Sequence, residues 1–255
     1  MVEPLTTSPR PPASSPPLSP VVVGTSQELA SRIELMRSLG RLIRGLSAIF
    51  WGLPLALVVS VQAASSLWLN VLGTVGCVVP ALVQGVLCYG LWLVSGFQRQ
   101  ERIWVLAVDR AQVLAVVNAG LAPFLYWHQR LPEVPLYSAA VGLLGISSLL
   151  FLLNLNQVLR RLAALLPDET VRTETAVFTS LNGAFLVMLP LVLAGYVVLA
   201  RIAEVPPLVR RVLEILEPIQ FWLLLVLALL PIAITMSLTW KIKEVLLASV
   251  FGDPE

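Results

Sequence analysis

Long stretches without a charged residue dominate the chain. The longest lies between Arg44 and Arg99 and contains 54 residues, and shorter stretches of 19, 26, 26 and 23 residues follow it. Roughly 20 helical residues cross a bilayer core of about 30 Å. Each shorter stretch therefore predicts one membrane span, and the longest predicts two spans joined by a turn. The residues expected to form this turn are Ser65, Ser66, Asn70 and Gly73.

These stretches predict an all-α, polytopic membrane bundle of six transmembrane helices arranged as three hairpins. Helices are favoured because a backbone inside lipid must satisfy its own hydrogen bonds. A membrane β-barrel would instead show alternating segments of about ten residues. The transmembrane domain is predicted over residues 45–240. Its six spans are expected near 46–66, 74–97, 110–128, 137–158, 177–200 and 218–240.

The N-terminal region divides into two parts by composition. Residues 1–24 are rich in proline and serine, which predicts a disordered cytoplasmic tail. Residues 25–44 interleave apolar and charged positions, which predicts an amphipathic interfacial helix on the inner leaflet. The alternative is an ordinary helix packed on other cytoplasmic segments. The side chains expected to contact lipid headgroups are Arg37, Arg41 and Arg44.

Positive charges set the predicted orientation. Of the 17 Lys and Arg residues, 13 fall on the side that carries both termini and 4 fall on the other side. This bias places both termini in the cytoplasm and makes residues 241–255 a short cytoplasmic tail. Arg supplies 15 of the 17 basic residues, a composition typical of a GC-rich bacterial genome. The predicted location is therefore the cytoplasmic (inner) membrane, as a multi-pass protein.

Small residues recur at every fourth position along the first two spans. In lipid, such a stripe lets two helix backbones approach closely. We therefore expect the first two spans to pack as a tight hairpin. The predicted packing positions are Ala48, Gly52, Ala56, Ser60 and Ala64 in the first span and Cys77, Ala81 and Gly85 in the second.

The overall composition excludes several protein classes. Apolar residues make up 57% of the chain and charged residues 13%, about half the charged share of a typical soluble domain. The mean hydropathy is +0.86. The net charge of +2 provides no basic surface for DNA or RNA. The sequence therefore excludes a soluble globular protein and predicts no nucleic-acid partner.

Motifs for enzymatic chemistry are missing from the sequence. His128 is the single histidine, so one chain cannot form an HExxH zinc site. No glycine pair has the spacing of a dinucleotide-binding loop, and no glycine precedes either lysine as in a P-loop. We therefore predict no catalytic residue, no metal site and no cofactor, and we expect a protein that is not an enzyme.

Four asparagines share a similar depth in the predicted spans. Polar groups at such depth should face the bundle or water and not lipid. One hypothesis is a polar vestibule, open to the cytoplasm, in which a small solute binds. The alternative is a set of interhelical hydrogen bonds, each worth about 0.6 kcal/mol. The residues concerned are Asn118, Asn154, Asn156 and Asn182.

Three classes of function follow from these observations. The sequence favours a non-enzymatic scaffold, assembly factor or accessory subunit that acts through helix packing. Its partners would be membrane lipids and a membrane-protein partner or a second copy of the chain. The alternative is a transporter or channel for a small solute, which the absence of an embedded Asp, Glu or Lys opposes. A membrane enzyme has the least support, since no motif favours it.

Overall fold

A computed structural model describes residues 21–65, 73–97, 101–166, 169–201, 211 and 220–251. These residues are helical apart from short connections and contain no β-strand. Residues 1–20 and 252–255 of the two predicted tails lie outside this part, as do Ser66 and Asn70 of the predicted turn. The helices are α1 (Val21–Ser65), α2 (Val78–Ser95), α3 (Arg102–Leu121), α4 (Pro123–Arg130), α5 (Pro135–Ala164), α6 (Glu169–Arg201) and α7 (Gln220–Phe251).

Six helical segments are long and apolar enough to cross a membrane, which confirms the all-helical prediction with six candidate spans. Each contains an 18-residue window with at most two charged residues. They run over Arg32–Ala64, Gly73–Ser95, Arg102–Arg130, Pro135–Ala164, Glu169–Gly195 and Val226–Ala248.

Two compact units divide the chain, Met1–Arg37 and Ser38–Glu255. In the first unit, the residues from Val21 onward are helical, and the side chains of Leu29, Ile33 and Met36 are exposed. Helix α1 has no break at residue 44, where the sequence predicted a change from surface helix to span. The placement of residues 25–44 on the inner leaflet stays a prediction.

The core of the second unit is built around α5. This helix contacts α3, α4, α6 and α7, while α2 contacts α3 and α6 contacts α7. Helix α1 approaches α2 through Gly45 and Gly90, and its Phe50 ring lies 5.5 Å from the ring of Trp240 on α7. Large apolar side chains from several helices fill the interior, so packing contacts hold the bundle together. Fully buried members include Leu46, Leu91, Trp104, Leu155 and Ile242.

Two helix boundaries differ from the sequence prediction. The third span is interrupted at Ala122, because Pro123 has no amide hydrogen to continue the helical ladder. Helix α7 continues to Phe251 through most of the segment predicted as a cytoplasmic tail. Ile242 and Leu246 lie buried in the core, so the charges near residue 241 mark the end of the uncharged stretch and not the end of the packed helix.

Candidate functional site

Two of the four predicted amides meet on one hydroxyl group. The Nδ2 of Asn156 on α5 donates to the Oγ1 of Thr235 on α7 over 3.1 Å. The Nδ2 of Asn182 on α6 donates to the same Oγ1 over 2.9 Å. All three side chains are at most 2% exposed. We call this group the three-helix junction, because it joins α5, α6 and α7.

Backbone carbonyls accept further hydrogen bonds from the three-helix junction, while the buried Oδ1 of Asn182 makes no hydrogen bond within the described residues. Asn156 also donates to the carbonyl of Leu152 over 2.8 Å, and Asn182 donates to the carbonyl of Pro231 over 3.1 Å. The Thr235 hydroxyl donates to the Pro231 carbonyl over 2.8 Å, the back-bonding geometry that threonine favours in helices. The donors of both amides are therefore used in contacts within and between helices.

Asn154 points away from this junction. Residues two positions apart on a helix do not share a face, so Asn154 and Asn156 cannot both reach α7. Asn154 is only partly buried and donates to the carbonyl of Leu150, one turn earlier on its own helix, over 2.8 Å.

Asn118 belongs to a separate cavity of about 130 Å³. The side chain is 1% exposed, and its Oδ1 makes no hydrogen bond within the described structure. Helices α1, α2, α3, α5 and α7 all contribute to the wall. The polar residues that line this central cavity are Ser60, Gln84, Asn118 and Ser148.

The four amides thus occupy three places: the three-helix junction, the central cavity and the partly exposed surface of α5. Thr235 was not identified from the sequence, although its position four residues after Pro231 could have indicated a back-bonded hydroxyl. Gln84 and Ser148 were also absent from the predicted vestibule. Their depth near the middle of their spans was the available signal.

Helices α1 and α2 also approach each other closely at two glycines outside the predicted stripe. A Cβ built on Gly45 would lie 2.8 Å from the carbonyl oxygen of Gly90. A Cβ built on Gly90 would lie 2.9 Å from Ile49 and 3.3 Å from the Cβ of Ala48. Gly45 precedes Gly52 by seven residues, about two helical turns, so the sequence already places both glycines on the same face of α1.

The predicted packing residues occupy varied environments. Gly52 faces Leu87, since a Cβ there would lie 2.7 Å from that side chain. Ala56 and Ser60 line the central cavity. A Cβ on Gly85 would meet nothing within 4 Å. Ala64 is exposed, while the three remaining members are partly buried: Ala48, Cys77 and Ala81.

The three arginines predicted to contact headgroups all have exposed side chains. They are Arg37, Arg41 and Arg44. The Nε of Arg44 donates to the carbonyl of Gly40 over 3.2 Å. Exposure leaves these guanidinium groups accessible to a polar phase, and their contact with lipid stays a prediction.

Charged groups near the start of α6 lie beside charged groups in the C-terminal third of α7. The Nζ of Lys241 forms an ion pair with Glu174, which links the two helices. The Nζ of Lys243 lies 5.2 Å from the centre of the Trp240 ring. No group of three or more His, Cys, Asp or Glu side chains in the described ranges could hold a metal ion.

A hydrogen bond links Gly73, at the end of the predicted turn, to α4. Gly73 has φ +58°, a left-handed conformation that glycine adopts without strain. Its carbonyl accepts a hydrogen bond of 2.5 Å from the Tyr126 hydroxyl on α4. The guanidinium of Arg130 lies 4.5 Å from the centre of the Tyr126 ring. Glycine at this turn is thus explained by the backbone conformation.

Comparisons with models of known protein families, with curated proteins and with solved structures found no match to this chain.

Proposed function

We propose that this chain is a non-enzymatic membrane protein, a scaffold, assembly factor or accessory subunit. In this proposal it acts through contacts of its helices with lipids and with a membrane-protein partner. The three-helix junction carries the argument. The amides of Asn156 and Asn182 bind Thr235, so their donors connect three helices and do not face a solute path.

The outward surface of α6 supports the same proposal. Only 11% of its apolar window is buried, the smallest share among the six candidate spans. Val177, Leu181, Val187 and Leu191 expose large apolar side chains along this helix. In a membrane such a surface faces either lipid or another transmembrane helix, and an accessory subunit needs a surface of this kind.

We further propose the membrane arrangement that accompanies this function. The helices form three hairpins, both termini lie in the cytoplasm, and residues 25–44 lie on the inner leaflet of the cytoplasmic membrane. The distribution of 13 basic residues against 4 supports the orientation. Contacts of α1 with α2, α3 with α5 and α6 with α7 agree with the hairpins.

Extraction of the intact protein into native nanodiscs, followed by native mass spectrometry, tests the proposal. We expect a second membrane protein at fixed stoichiometry, and we expect its abundance in the membrane to fall when this chain is deleted. A chain that is isolated alone or only with copies of itself, and whose deletion changes no other membrane protein, would contradict the proposal.

A transporter or channel for a small solute is the second candidate. The observation that favours it is the buried, unbonded Oδ1 of Asn118 beside the central cavity. Solute flux into proteoliposomes that falls on Asn118→Leu, but not on Asn154→Leu, would support transport. The partly exposed Asn154 is the matched control, since it has the same side chain outside the central cavity.

A further inference from the structure

The central cavity brings hydrogen-bonding side chains from four helices to one place in the bundle. Ser60 comes from α1, Gln84 from α2, Asn118 from α3 and Ser148 from α5. These residues are far apart in the sequence, so only the packing of the helices collects them. Apolar side chains such as Leu87, Phe151 and Ile232 form the remaining wall.

The charges and polar atoms of this wall restrict what could bind there. None of the lining residues is ionisable, so a charged molecule would find no counter-ion in a medium of low dielectric constant. The Oδ1 of Asn118 is buried and makes no hydrogen bond within the described residues. A carbonyl oxygen accepts hydrogen bonds, so its complement is a hydroxyl or an N–H group.

The volume of the cavity limits the size of the ligand. At about 130 Å³, it approaches the roughly 150 Å³ of an engineered apolar cavity that binds benzene. A single ring, or an aliphatic group of similar size, therefore fits. The apolar part of the wall suits an aromatic or aliphatic group, because that group exchanges its contacts with lipid or water for contacts with the wall.

We propose that the central cavity is a binding site for a small neutral molecule with an apolar body and one hydroxyl or N–H donor, which bonds to the Oδ1 of Asn118. In the structure this oxygen is covered by protein atoms, so binding requires the side-chain amide to rotate toward the cavity. This inference goes beyond the scaffold function, because binding requires neither a protein partner nor movement across the membrane. Water could donate to the same oxygen, so the test must distinguish an organic donor from water.

Two fluorinated probes of nearly equal shape make that distinction. 4-Fluorophenol carries the donor, and 4-fluorotoluene replaces its hydroxyl with a methyl group. Binding is followed by ¹⁹F NMR on the full chain in nanodiscs, with protein-free nanodiscs correcting for partition into lipid. We expect saturable binding of 4-fluorophenol, about tenfold tighter than that of 4-fluorotoluene, as one hydrogen bond to a buried acceptor provides.

Variants assign the preference to this site. Asn118→Leu should abolish the preference for 4-fluorophenol, while Asn154→Leu should retain it. Ala56→Leu adds bulk to the wall of the central cavity and should weaken the binding of both probes. This variant provides a second test if Asn118→Leu does not fold. The proposal is overturned if neither probe binds above the lipid background, as expected for a site that holds water only. It is also overturned if both probes bind equally or if the preference survives Asn118→Leu.

Discussion

Asn182 on α6 and Thr235 on α7 are joined by a hydrogen bond of 2.9 Å between two fully buried side chains. Asn156 on α5 donates to the same hydroxyl. One threonine oxygen therefore connects three transmembrane helices, and its removal affects two interhelical contacts at once.

Thr235→Val should destabilise the bundle by about 1–2 kcal/mol, because both amides lose an interhelical acceptor while the side-chain shape is preserved. An unfolding titration in sodium dodecyl sulfate measures the change. Thr239→Val is the matched control, since among the described residues the Thr239 hydroxyl bonds only to the Thr235 carbonyl of its own helix, over 2.7 Å. Equal effects of the two substitutions would show that the interhelical bonds contribute nothing.

Gly45→Ala should destabilise the contact of α1 with α2 by about 1–3 kcal/mol, as overpacking in a close-packed interior does. The added Cβ would meet the backbone oxygen of Gly90 at 2.8 Å, and a backbone atom cannot rotate away. Gly85→Ala on α2 is the control, because its Cβ would have free space, and we expect a change below about 1 kcal/mol. The same detergent titration applies, and a neutral Gly45→Ala would contradict the close approach.

The ion pair of Glu174 with Lys241 should contribute little to stability. Both side chains are nearly half exposed, at 44% and 45%, so solvent screens the attraction. A double-mutant cycle with Glu174→Gln and Lys241→Gln should give a coupling free energy of about 0–1 kcal/mol that decreases with added salt. A coupling well above this range would indicate that lipid or a partner desolvates the pair.

The proposed orientation predicts which side of the membrane reaches two exposed residues. After Cys77 and Cys88 are replaced by serine, a membrane-impermeant maleimide should label Glu133→Cys in intact cells. It should label Arg102→Cys only after the cells are permeabilised, because the third span separates the two positions. The reverse pattern of labelling would show that the chain has the opposite orientation in the membrane.

The number of candidate spans could be predicted from the sequence because it depends on local properties, namely length and the spacing of charges. Pairing between helices could not be predicted in the same way. The sequence does not distinguish Asn154 from Asn156, because both are amides at a similar depth of the same helix. Two positions along a helix correspond to different faces, so Asn156 reaches α7 while Asn154 bonds to its own helix at the surface of α5.

The stripe of small residues likewise did not predict where along their lengths α1 and α2 meet. Small residues at four-residue spacing indicate where two helices can approach, but the contact point depends on how one helix is placed along the other. Gly90 meets Gly45, whereas Gly85 faces open space one to two turns away. The sequence pattern of one helix alone does not determine this offset.

The bond between Gly73 and Tyr126 has a consequence for biosynthesis. Gly73, which supplies the acceptor, is synthesised 53 residues before Tyr126, which supplies the donor. The bond can therefore form only after the third span has been synthesised. A third span inserted in the wrong direction would carry Tyr126 to the opposite side of the bilayer. The bond can therefore form only in chains whose second and third spans were inserted in opposite directions, and it stabilises such chains over misinserted ones.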